Sequence, residues 1–349
     1  MSAEEQSMSL KERTLTTIYF KKPDTVPIGL YEILVGAKLV GKPFGEVFID
    51  GKLLAKSRLL FNEEFGHDII DIGTGIATEA EACGCEVEYP DNAAPWIKKP
   101  ILYDLKDVSN LKVPDPYKSR SMYANIEAVS ILSKRVGEEV FIIGEADQGP
   151  FSLAGELRGM AKFYMDLISD ENHKFIHELL EYTSNVFKTY ARAISKAGAD
   201  AVGMGESSAG PDLISPEYYR KFAKPYEKKI IEELKKEDIL VAHHMCGNVD
   251  KIIDDFIDAG APMIEIDEKT NLKLAKEKVR NKTTIIGSVS PITITFGSKK
   301  EIEVEIIKNL EICMPNYGYV LTPGCVIGAN TPIKNIKSFI EYGRKHGKY

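Results

Sequence analysis

One imidazole and two thiols stand where a metal site could be assembled from them. His244 and Cys246, in the run VAHHMCGN, are separated by one residue. On an extended strand they project from the same side, and His243 projects from the other. Cys325, in LTPGC, comes much later in the chain. Two thiolates and an imidazole suit Zn²⁺, and three protein ligands leave a fourth position for a weak ligand or a substrate, as catalytic centres do. Without a partner, a His and a Cys in a buried strand are ordinary packed residues. The elements that carry them therefore decide the matter.

Acids form the second set of candidates. Glu145 and Asp147 lie in IIGEADQGP, Glu206 in GMGESS, and Asp267 and Glu268 in IEIDEK. Each falls at the end of an apolar run, where unpaired burial is costly, so each needs a partner. Glu206 is assigned a metal-facing place because its strand immediately precedes the one carrying His244; a helix cap or an ion pair is the alternative. Glu145, Asp147 and Asp267 are assigned to cofactor binding at the same mouth. Glu265 and Asp267 share a strand face whose direction stays open. Arg158 is a lone cation that a nearby acid such as Glu156 could neutralise. Cys83 and Cys85 repeat the two-residue spacing with no histidine beside them, so they read as structural. Cys313 reads as a small apolar residue, and His173, His177 and His346 as solvated surface residues.

The positioning elements alternate. Short apolar runs at 25–30, 68–73, 140–145, 201–206, 239–244, 263–267, 284–288 and 317–321 predict eight buried strands. Helical periodicity falls between them at 53–65, 123–134, 175–197, 216–235, 249–259, 272–279, 300–312 and 332–345. Ser215-Pro216 and Thr331-Pro332 read as helix starts, and Gly198, Gly260 and Gly343 as helix stops. Pro225 should bend or break its helix. Eight such units predict an α/β fold, a (β/α)8 barrel of the TIM type, with an open doubly wound sheet as the alternative. Residues 1–349 are read as a single barrel domain, with 1–24 as an N-terminal extension and 76–122 as an irregular insertion after the second strand. In such a barrel the loops after the strands share one mouth, so His244, Cys246 and Cys325 can meet.

Composition narrows the function. The 349 residues carry 45 basic and 52 acidic side chains, a net charge of −7, with no basic block to grip a phosphate backbone. Nucleic acid and anionic membranes are poor partners. No uncharged apolar run is long enough to span a bilayer. The start, MSAEEQSMSLKERTL, places acids where an export signal has a basic region. A cytoplasmic protein is expected, and five cysteines without such a signal argue against a disulfide framework.

Residues 23–27 (PDTVP), 149–159 (GPFSLAGELRG), 197–200 (AGAD), 213–222 (LISPEYYRKF), 246–248 (CGN), 285–291 (IIGSVSP) and the C-terminal LTPGC-x(5)-TPIKNI resemble the uroporphyrinogen decarboxylase superfamily, over nearly the whole chain. Within it, His-x-Cys plus a late Cys in PGC looks like the zinc-dependent methylcobamide:thiol methyltransferases. The decarboxylases themselves carry an arginine-rich motif near the first strand, and residues 26–40 here contain no arginine. The resemblance implies that His244, Cys246 and Cys325 hold Zn²⁺, with Glu206 in the fourth position at rest. It implies that the acceptor thiol, held as its thiolate, attacks the methyl group of a Co(III) corrinoid. Coenzyme M is the expected acceptor, and its sulfonate should meet a cation or a helix N-terminus; homocysteine and tetrahydrofolate are the alternatives. No corrinoid-binding D-x-H-x-x-G motif occurs, so a separate corrinoid protein is the implied partner. Two readings compete: a metal-free lyase of the decarboxylase type, and a non-catalytic docking barrel.

Overall fold

Short strands joined by helices pair in parallel, because each crossover helix returns the chain to the same end of the sheet. The computed structural model describes residues 7–349. Among these residues seven strands form one parallel sheet: β1 Ile69–Ile72, β2 Phe141–Gln148, β3 Ala201–Gly205, β4 Leu240–Met245, β5 Met263–Ile266, β6 Thr284–Val289 and β7 Tyr319–Pro323. Their spatial order is their chain order. Crossovers between them contain the helices Arg120–Val136, His173–Ala197, Lys224–Lys235, Leu272–Val279 and Lys299–Cys313. No helix of the described residues is long and apolar enough to cross a membrane.

The first of the eight predicted strands, 25–30, is not a strand of this sheet. Pro27 has no N–H to give to a ladder, and the segment pairs through isolated bridges: parallel ones of Ile28 with Leu321 and Gly29 with Ile69, and an antiparallel one of Thr25 with Lys348. The parallel bridges reach β7 and β1, the two edges, so the sheet curls until one segment touches both. Gly29 fits there because a Cβ would lie 2.9 Å from Cγ2 of Thr322. The insertion 76–122 is more regular than expected, with a helix at Thr78–Ala82 and an antiparallel hairpin of Glu86–Glu88 and Trp96–Lys99. Residues 1–6 of the extension lie outside the described residues. The rest of it contains a helix, Leu10–Ile18, begun by Ser9, whose Oγ accepts from the Glu12 N–H.

The two-residue period of the strands sorts their side chains. Ile69, Phe141, Ala201, Ala242, Met263 and Ile286 pack into an inner cluster that includes Ile18, so the leading helix closes the bottom of the sheet. Neighbours one position on, such as Ile70, Ile142, Val202 and Ile264, belong to the outer core beneath the helices. Pro225 breaks its helix as expected: a π turn at Tyr219–Ala223 precedes a new helix, Lys224–Lys235. Gly343 does not stop its helix, which runs Ile333–His346. A Cβ there would lie 2.6 Å from Cδ1 of Ile28, so the glycine lets the last helix press on the closing segment. Pro332 sits at the cap position of that helix rather than inside it.

Asp68 ties these parts together from a fully buried position. It pairs with Arg13 of the leading helix at 2.6 Å and Arg344 of the last helix at 2.7 Å, and it accepts from the Ile28 N–H at 2.7 Å. Removing one partner of a buried network strands the other charges. Asp68→Ala should therefore destabilise the protein by roughly 3–5 kcal/mol, measured as a shift of the urea unfolding transition. A loss of no more than about 1 kcal/mol, the worth of a surface pair, would contradict this role.

Candidate metal centre

Ala242 belongs to the inner cluster, so His244, two residues on, points into the mouth of the curled sheet. His243 points outward, where burial among Phe256 and its neighbours pushes its imidazole down to about 3. Cys246 follows β4 in a turn held from below. Gly247, at φ +83°, donates its N–H to Asp267 at 2.8 Å and accepts from the Thr270 hydroxyl at 3.0 Å. Cys325 follows β7, next to Gly324, whose N–H donates to the Val289 carbonyl at 2.8 Å. Nε2 of His244 lies 3.1 Å from Sγ of Cys246, and the two sulfurs are 3.7 Å apart. The three ligand atoms all fall within 4.8 Å of one another.

This spacing fits a metal. A tetrahedral ion with bonds of ~2.3 Å to two thiolates separates the sulfurs by roughly 3.8 Å, close to what is found. The electrostatics place one thiolate in the cluster, at Cys246, with protons held on its two neighbours. A hydrogen bond from the Cys325 thiol, and further ones from His244 and Ser207, outweigh burial and bring Cys246 down to about 4. Against the cost of burial, the bond to Cys246 and the charges of Cys246, Glu265 and Asp267 push His244 up to about 9. Cys325, the donor in that pair, is pushed up. Oε2 of Glu265 faces Nδ1 of His244 at 3.6 Å, too far for a strong hydrogen bond and near enough to bias the ring.

The assigned acids divide. Glu206 stands away from the three ligands: its carboxylate accepts from the N–H groups of Phe151 and Ser152 at 2.8 and 2.9 Å and from the Ser152 hydroxyl at 3.0 Å. It is fully buried and caps the helix Pro150–Arg158, the alternative weighed for it. Gly149 makes room, since a Cβ there would lie 2.5 Å from Oε1 of Glu206. Asp267 does not line the mouth either, because its oxygens are taken by the N–H groups of Gly247 and Lys269. Glu145 and Asp147 do line it, around a cavity of about 180 Å³ beside His244, Cys246 and Cys325.

Sequence reasoning missed Tyr31 and Asp71, and left the direction of Glu265 open; all three line this cavity. The register held the signal for the acids: Ile69, Ile143 and Met263 point inward, so Asp71, Glu145 and Glu265, two positions on, do as well. Burial pushes Asp71 and Asp147 up to about 6 and Glu265 up to about 7, and Glu145 rises further through burial and the charge of Asp71. These acids take up protons more readily folded than unfolded. Their burial therefore costs stability as the pH rises through about 4 to 7. Arg158 is held by Asp166 at 2.7 Å rather than by Glu156. Cys83, Cys85 and Cys313 stand apart from the centre and are pushed up to about 12 by burial. His173, His177 and His346 are half-buried and hydrogen-bonded rather than freely solvated.

A cluster of one imidazole and two cysteine sulfurs at the mouth of a curled parallel α/β sheet is the class that fold and site define together. The family model for uroporphyrinogen decarboxylase (URO-D) matches residues 9–346, and the chain belongs to that family. Methylcobamide:CoM methyltransferase MtbA of Methanosarcina acetivorans is 29% identical over 88% of this chain and 88% of its own. MtaA of Methanosarcina barkeri, also named a methylcobamide:CoM methyltransferase, is 28% identical over 95% and 96%. A solved methyltransferase from Methanosarcina mazei superposes with a TM-score of 0.87 at 28% identity, covering 97% of this chain and 99% of that one.

In metal-free protein the low value at Cys246 keeps it a thiolate at neutral pH. Its alkylation by iodoacetamide should stay nearly flat from pH 8 down to about 5 and fall only as the pH approaches about 4, with Cys83, Cys85 and Cys313 spared and zinc protecting. Peptide mass spectrometry reads each site. A rate that climbs about tenfold per pH unit through neutrality, as for an ordinary thiol, would contradict the assignment.

Proposed function

We propose that the protein is a zinc-dependent methyltransferase that moves a methyl group from a methylcorrinoid, carried by a separate protein, to a small thiol. The separation of the Cys246 and Cys325 sulfurs beside His244 carries this reading, and the names of the MtbA and MtaA relatives support it. His244, Cys246 and Cys325 would hold the metal. When bound, zinc supplies a Lewis acid that keeps an acceptor thiol as its thiolate at neutral pH, where a free thiol of pKa near roughly 8.5 is mostly protonated.

The chain's own groups do the rest. Glu265, facing Nδ1 of His244, would favour the ring proton there and leave Nε2 for the metal. The turn Cys246–Gly247, pinned by Asp267 and Thr270, fixes one sulfur; Ser207 donates to that sulfur at 3.1 Å. Glu206 anchors the helix after β2 and so shapes the wall of the mouth. The acceptor sulfur bonds to the methyl carbon as the carbon–cobalt bond breaks. Both electrons of that bond remain on cobalt, which passes from Co(III) to Co(I), and the thiol proton leaves to a cavity carboxylate or water. In this reading residues 1–349 work as one barrel unit, and the open mouth receives the corrinoid protein. A metal-free decarboxylase would want cations for acidic side chains, and no Lys or Arg lines the cavity.

With methylcobalamin as donor, zinc-loaded protein should bleach it in a thiol-dependent reaction followed by absorbance. His244→Ala and Cys325→Ala should each slow this by at least roughly a hundredfold and lose the metal. Glu206→Gln should retain the metal. A Cys325→Ala variant with full rate, or Glu206→Gln without metal, would contradict the ligand set.

A further inference from the structure

We propose that the acceptor thiol carries a cationic group, an ammonium, in place of an anionic tail. This rests on the reading that the metal centre takes an acceptor sulfur, and it names the chemical class of that acceptor. The cavity beside the three ligands is lined by four carboxylates, Asp71, Glu145, Asp147 and Glu265, with no Lys or Arg among its lining residues. At about 180 Å³ it is smaller than the ~300–1,000 Å³ of a drug-sized ligand's pocket, so the acceptor is small.

Two of these carboxylates, Asp71 and Glu265, are buried with oxygens that lack a donor, while Asp147 accepts from the Gln148 side chain at 3.0 Å. Asp71 is 6% exposed, Glu265 3%, and neither Asp71 oxygen nor Oε1 of Glu265 receives a hydrogen bond. A buried acceptor left without a donor is costly, and a ligand's N–H groups would relieve that cost. Gly203 keeps the place open, since a Cβ there would fall 2.0 Å from Oε2 of Glu145. A proton on Glu145 shared with Asp71 satisfies one oxygen and still leaves three acids in the cavity. Among the described residues no three of these acids converge as the His244, Cys246 and Cys325 ligands do, so a second metal ion is not what they hold. Tyr31 adds an aromatic ring to the lining, and a ring face attracts an ammonium.

No Lys or Arg side chain meets an anionic tail inside the cavity. The N-terminus of the helix Pro150–Arg158 is filled by Glu206, and Arg158 is paired with Asp166. Arg58, whose charge acts on Asp71, is fully buried against Glu32 and does not line the cavity.

Titration of the cobalt(II)-loaded protein tests this, because a sulfur entering the metal's open position adds a further thiolate-to-cobalt absorption band to that of Cys246 and Cys325. The probes are 2-aminoethanethiol, 2-mercaptoethanol and 2-mercaptoethanesulfonate. Wild type should bind the amine at least roughly tenfold more tightly than the sulfonate, and Asp71→Asn and Glu145→Gln should narrow that ratio severalfold. Comparing ratios between variants cancels the different acidities of the thiols. Tighter binding of the sulfonate, or a ratio that neither variant moves, would overturn the inference and leave the metal–thiol reading standing. No further band with any of the three thiols would overturn both.

Discussion

The two-residue period of a parallel strand governs the site. Each strand that enters the curled sheet with an apolar residue facing inward must present its residue two positions on to the mouth. Thus Ala242 commits His244, Met263 commits Glu265, Ile143 commits Glu145 and Ile69 commits Asp71. The bottom of the sheet is dry and closed by Ile18, and the top is ionisable. Parallel pairing holds the strands in register, as with Gly205 against His244 and His244 against Glu265. A shift of one residue anywhere would replace a ligand with an outward-facing neighbour; at β4 it would substitute His243, a neutral core imidazole.

The surrounding structure offsets what this concentration of charge costs. Polar groups carried inward need partners or room, and the chain supplies both. Glycines at 149 and 203 vacate space that the carboxylates of Glu206 and Glu145 occupy. Asp267 and Thr270 secure the turn that presents Cys246. Ser207, His244 and Cys325 share the charge of the Cys246 thiolate. At the opposite end Asp68 joins the first helix, the last helix and the closing segment. Without that join, the segment carrying Tyr31 to the cavity would rest mainly on isolated bridges.

Much of this was legible in the residues. The alternation of strands and helices, the shared face of His244 and Cys246, and the approach of Cys325 followed from spacing and from the rule that barrel loops meet at one mouth. Other parts were not. The segment 25–30 is apolar enough for a strand, yet prolines limit its pairing, and an apolar run alone does not count hydrogen bonds. Glu206 sits at a strand end as a ligand would, and only the position of the helix after β2, Pro150–Arg158, shows that its oxygens are already used. Asp71 was hidden in IIDIGTG because a single acid inside an apolar strand is read as an interruption until the inward register of that strand is known.

The most direct measurement is X-ray absorption at the zinc edge of the full-length, zinc-loaded protein, with and without a bound thiol. If His244, Cys246 and Cys325 hold the ion and leave one position open, the spectrum should fit about two sulfurs at ~2.3 Å with nitrogen or oxygen completing the shell. Added thiol should raise the sulfur count to about three. A closed shell that thiol does not change, or a protein that takes up no zinc, would contradict the central claim that this cluster is an open centre for an acceptor sulfur.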